Sequence, residues 1–221
     1  MTRLDTEHLI ERLASDGSAV RRLRSPLLRA AIWLGGFAVA AAIIAWIMGP
    51  IPGMAMRLSE PRFALELFGT LMTGVLAVGA AFYLSLPDRS RLWLFAPLPA
   101  LVLWLSTSGY GCYRDLVVHG SAGWTFGPSA NCFAFILGMG IPAAVALYLP
   151  LRRAAPLDPV PVLAIGGLGV AALVAGALQF FHPFDVTLTD LSVHLAAILL
   201  VVSGMALLGR LGSAHATAST R

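Results

Sequence analysis

Six apolar runs dominate this chain, at 27–48, 63–86, 92–106, 133–151, 162–181 and 191–208. A helix rises 1.5 Å per residue, so about 20 apolar residues cross the hydrocarbon core of a bilayer. Most of the runs reach that length. The run at 92–106 is shorter and carries Pro97 and Pro99, and the run at 133–151 carries Pro142, which predicts a kink. The chain is 58% hydrophobic and 12% charged. Soluble domains carry roughly 25% charged residues, so there is too little polar surface here to coat a globule in water. The expected fold is all-α, a polytopic membrane bundle of six transmembrane helices. The expected division is a head at 1–26, a membrane domain at 27–209 and a tail at 210–221.

Charge placement sets the expected orientation. With the N-terminus inside, the cytoplasmic set is Arg3, Arg12, Arg21, Arg22, Arg24, Arg29, Arg89, Arg91, Arg152, Arg153, Arg210 and Arg221. The far side then holds Arg57, Arg62 and Arg114. Twelve against three is a positive-inside bias, which puts both termini in the cytoplasm. The same placement argues against direct nucleic-acid binding, because the +4 net charge lies at the ends of apolar runs and not on one face. Asp5, Glu7, Glu11 and Asp16 make the first residues unlike a cleavable signal peptide.

The head is the most informative polar segment. Leu9, Ile10 and Leu13 share one helical face, with Asp5 or Thr6 to cap the start and 16–18 to end the helix. Val20, Leu23 and Leu27 follow at helical spacing, among Arg21, Arg22 and Arg24. Such a segment can lie on anionic lipid. It can equally present its apolar face to a cytoplasmic protein. Asp5, Glu7 and Glu11, three acidic residues within the helical stretch, favour the protein partner.

The segment 107–131 reads as the largest far-side loop. Cys112 lies within it and Cys132 immediately after it, and these are both cysteines of the chain. Three readings stay open: packed thiols, a disulfide, and a redox- or metal-sensing pair. A disulfide would close a loop of about 20 residues and add on the order of 3 kcal/mol. The histidines lack zinc-site spacing, so no metal and no cofactor is expected. Glu66 and Asp190 fall near the far-side ends of their spans, within reach of water, and His194 can pair with Asp190 at i+4. Gly35, Gly36 and Ala40 in the first span, with Gly166, Gly167 and Gly169 in the fifth, mark expected close helix approaches.

No enzyme is expected. The stretch Ser106-Thr-Ser-Gly109 resembles the serine turn of rhomboid proteases but lacks its first glycine, and nothing places His194 beside Ser108 as a base. Nor do the spans form repeated halves, as many transporters do.

Four places are similar to the NrsF family (negative regulator of sigma F). They are Leu9-Ile-Glu-Arg-Leu-Ala-Ser-Asp16 with Ala19-Val-Arg-Arg-Leu23, Asn131-Cys132-Phe133, Leu149-Pro-Leu-Arg-Arg-Ala-Ala-Pro156, and Phe181-His182-Pro183 followed by His194. Family members usually have proline where Ala19 stands. The resemblance implies a membrane-anchored anti-sigma factor of the bacterial inner membrane. Its head would bind an extracytoplasmic-function sigma factor through Leu9, Ile10, Leu13, Val20, Arg21, Arg22 and Leu23, and release it on envelope, oxidative or metal stress. Members commonly carry a second cysteine beside the histidine after span five. Here that place reads His182-Pro183, so a two-cysteine sensor requires Cys112 in the role. The rival expectation is a small six-span permease or membrane-stress protein whose head only rests on lipid.

Overall fold

The computed structural model describes residues 3–15, 23–49, 51–120, 126–181 and 188–218. All described secondary structure is helical. The helices are α1 (Arg3–Ser15), α2 (Pro26–Met48), α3 (Met54–Leu58), α4 (Pro61–Leu84), α5 (Leu98–His119), α6 (Phe126–Arg152), α7 (Pro159–Leu178) and α8 (Leu188–Ala218). A 3₁₀ turn at Arg91–Phe95 precedes α5. Among the described residues, six helices are long and apolar enough to cross a membrane: α2, α4, the 3₁₀ turn with α5, α6, α7 and α8.

Helix starts follow local chemistry. Pro26, Pro61 and Pro159 open α2, α4 and α7, where the missing N–H is not needed. Ser25 accepts the Leu28 amide at 3.3 Å and caps α2. Pro97 stands at the cap and Pro99 in the first turn of α5, so they begin that helix and do not break it. Pro142 and Pro150 lie inside α6, which runs through both.

The described residues of the segment 107–131 are helical up to His119 and again from Phe126, contrary to the loop expected. Helix α5 runs on to His119 and ends at Gly120, whose φ of 61° suits glycine. Helix α6 starts at Phe126. The polar residues that suggest a loop are absorbed by the helix. Thr107 donates its hydroxyl back to the carbonyls of Leu103 and Trp104, both at 2.9 Å. Helix α8 continues without a break to Ala218.

Helices α4 and α7 form the centre, and their small residues explain why. A Cβ on Gly169 would lie 2.8 Å from the Val78 amide nitrogen and 3.1 Å from the Gly74 carbonyl. One on Gly167 would lie 3.0 Å from the Cα of Val202 in α8, so α7 meets both neighbours at backbone contact. Phe82, Val78, Ile136, Leu147, Leu151, Val170 and Val174 fill the remaining space, completely buried. The first span behaves differently. Gly35 and Gly36 have open space where a Cβ would stand, so the close approach expected there is not made. Apart from Ala30, none of α2 is buried. Two apolar gaps flank it: Phe37, Ala41 and Ala45 face Leu71 and Leu173 across one, and Gly36 and Ala40 face Met139 and Pro142 across the other.

Candidate functional site

Helix α1 carries the apolar face expected of the head. Leu9, Ile10 and Leu13 are 50%, 60% and 68% exposed, and Leu23 beyond the helix is 48% exposed. Mutual packing of that face with the bundle would have buried them. Val20, Arg21 and Arg22 lie outside the described residues.

At the start of α2, Arg29 is the joint to the rest of the bundle. Its guanidinium donates to the carbonyl of Pro150 in the last turn of α6 and to Ser85 Oγ, at 3.5 Å, at the end of α4. It also lies over the Phe82 ring, 5.0 Å from the centroid. Ser85 already donates its own proton to the Phe82 carbonyl at 2.7 Å, so toward Arg29 it accepts. The last carbonyls of a helix lack intrahelical partners and carry the negative end of its dipole. One arginine on α2 therefore ties the C-terminal ends of two other helices. In the sequence Arg29 counts only toward orientation, and its spacing gives no sign of this role.

A second polar group lies at the opposite, distal end. Glu66 is buried and accepts the Ser108 hydroxyl at 2.8 Å. Its other oxygen lies 3.9 Å from Arg62, one turn earlier on α4. Arg62 in turn lies against Gly111, where any Cβ would collide with the guanidinium. Water-accessible placement of Glu66, expected from its position near a span end, is therefore corrected. Continuation of α5 past Ser106 covers the carboxylate. Asp190 is buried too, and the expected link to His194 forms through the backbone: the ring Nδ1 lies 2.6 Å from the Asp190 carbonyl. The i+4 spacing of Arg62 and Glu66 is visible in sequence, but the contribution of Ser108 from another helix is not.

Arg62, Glu66, Ser108 and His194 border a cavity of about 90 Å³ lined from α3, α4, α5, α8 and the end of α7. Trp104, Leu105, Leu195 and Ile198 supply apolar walls, while Arg57, Arg62, Gln179 and His194 add polar groups.

The two cysteines are buried and not joined by a disulfide. Cys132 belongs to the main core with Ile136 and Ala197, whereas Cys112 lies outside that cluster. Their helices pack mainly on different neighbours, α5 on α4 and α6 on α8 and α7. Among the described residues no group of three or more histidine, cysteine or acidic side chains is placed to hold a metal. His182 and Pro183 lie outside the described residues.

No curated protein and no solved structure matches the chain. A family described as negative regulator of sigma F matches residues 13–212. The match takes in Leu13, Cys112, Cys132 and all six long apolar helices, and it begins after Leu9 and Ile10. Through that match the chain belongs to the NrsF family, the negative regulators of sigma F.

Proposed function

We propose that this chain is a membrane-anchored anti-sigma factor of the bacterial inner membrane, with both termini cytoplasmic. Residues 1–26 form the sigma-binding head, 27–209 the membrane domain and 210–221 the tail. The partner is an extracytoplasmic-function sigma factor, held through Leu9, Ile10, Leu13, Val20 and Leu23, with Arg21 and Arg22 steering the encounter. The family match over residues 13–212 carries this reading. The open apolar face of α1 supports it, since three large side chains left half or more exposed on one short helix suit a partner.

Release is driven by envelope, oxidative or metal stress, with Cys112 and Cys132 as the sensing thiols. A signal shifts an equilibrium only by interacting differently with its two states. Both thiols are buried, so an oxidant or thiol-binding metal favours a state in which the helices around them part. In the double variant Cys112→Ser, Cys132→Ser, sigma release under oxidant or cadmium is expected to disappear. Release equal to wild type would remove the cysteines from the mechanism.

Co-purification tests the partner. The full-length chain is expected to bring down a sigma factor, and Leu9→Asp with Leu13→Asp to abolish capture. Binding that survives both changes, or no sigma factor at all, would favour a permease or membrane-stress protein whose head rests on lipid.

A further inference from the structure

We propose that the distal cavity binds an amphipathic anion, a carboxylate or phosphate group carried on an alkyl body. Its composition is two-sided. Arg57 and Arg62 bring two guanidiniums to the polar side, against one carboxylate, Glu66. That carboxylate already accepts from Ser108 and lies beside Arg62. Trp104, Leu195 and Ile198 form a wall that suits a hydrocarbon chain. An anion held by guanidinium forks gains charge-assisted hydrogen bonds, and the alkyl body gains burial.

The wall also contains an unsatisfied acceptor. Thr70 donates its hydroxyl to the Glu66 carbonyl at 2.6 Å, so toward Gln179 it can only accept. The Gln179 amide nitrogen therefore faces Thr70, at 3.4 Å, and Oε1 is the other end. That oxygen is enclosed and has no hydrogen-bond partner among the described residues. A buried acceptor without a donor is unfavourable by about 1–3 kcal/mol. A headgroup with its own hydroxyl, such as a monoalkyl phosphate or a glycerol phosphate, would supply that donor once the Gln179 amide turns toward the cavity. The anion could be a free amphiphile or the headgroup of a membrane lipid, and the chemistry recognised is the same.

The experiment uses the full chain in maltoside micelles and an ω-bromoalkyl carboxylate, whose bromine quenches a tryptophan it touches. The Trp104 share is the quenching of wild type minus that of Trp104→Phe. The carboxylate is expected to quench Trp104 saturably, and the matching ω-bromo alcohol to do so at least about tenfold more weakly, the loss of one charge-assisted contact. Arg57→Gln is expected to weaken the carboxylate to a similar degree, and Arg57→Lys to restore most of the binding. Equal quenching by acid and alcohol, no quenching of Trp104, or unchanged binding in Arg57→Gln would each overturn the site. Should Arg57→Gln fail to fold, the acid–alcohol comparison on wild type still decides. Repeating the titration in phosphatidylcholine vesicles with and without phosphatidylglycerol separates the sources. Competition by phosphatidylglycerol assigns the site to a lipid headgroup, and undiminished quenching assigns it to a free amphiphile.

Discussion

Ser108 on α5 donates its hydroxyl to the Glu66 carboxylate on α4 at 2.8 Å, both residues buried. The bond fastens two helices at the distal end and gives an enclosed carboxylate its donor. Removing one partner of such a pair leaves the other unsatisfied, whereas conservative exchange of the acceptor keeps the bond. Ser108→Ala is therefore expected to destabilise the bundle by about 1–2 kcal/mol. Glu66→Gln, which still accepts from Ser108, is expected to do so by less. Thermal melts of the two variants in detergent, followed by circular dichroism, check the order. A larger loss in Glu66→Gln would show that the carboxylate charge, through Arg62, outweighs the bond to Ser108.

Arg29 makes a different prediction, because it joins the loosely packed α2 to the ends of α4 and α6. Lysine keeps the charge but not the planar fork that reaches Ser85 and the Pro150 carbonyl together. Arg29→Gln is expected to destabilise the α2 seam by about 1–2 kcal/mol, with Arg29→Lys intermediate. Hydrogen exchange should quicken at the start of α2 before it changes in α7. Uniform change across the bundle would instead make Arg29 a general stabiliser.

The glycines offer a contrast of sign. Gly36 stands in a helix with open space around it, so Gly36→Ala is expected to stabilise by about 0.5–1 kcal/mol through helix propensity. Gly169 faces the backbone of α4, where a Cβ would be 2.8 Å from the Val78 nitrogen. Gly169→Ala is expected to destabilise by about 1–3 kcal/mol through overpacking. Melting temperatures that move in the same direction would refute the contrast.

The proposed orientation predicts reporter-fusion results directly. Fusions after Pro87 and Pro156 are expected to report a cytoplasmic position, and fusions after Pro52 and Gly120 an external one. An inverted pattern would place the head on the far side of the inner membrane, away from any sigma factor.

The fold class and the six long helices could be read from the chain, because hydropathy over about 20 residues reflects the solvent and needs no knowledge of partners. The family likeness was visible in short motifs around Cys132 and Arg152, and the amphipathic face of the head in the spacing of Leu9, Ile10 and Leu13. What composition misassigned was the stretch 107–131, where hydroxyls and glycines imitate a loop. Thr107 satisfies its hydroxyl on its own helix, Ser108 on Glu66, and Gly111 leaves room for Arg62. Two of those three partners lie far away in sequence. The same limit explains the glycines: Gly36 and Gly169 look equivalent along the chain, and only the neighbour opposite each one decides whether its missing side chain is used. Arg29 likewise adds one charge to a positive-inside count until the ends of α4 and α6 are brought beside it. Local pattern and solvent preference reside in consecutive residues. Pairings between helices depend on which faces meet, and that was settled only when the bundle closed.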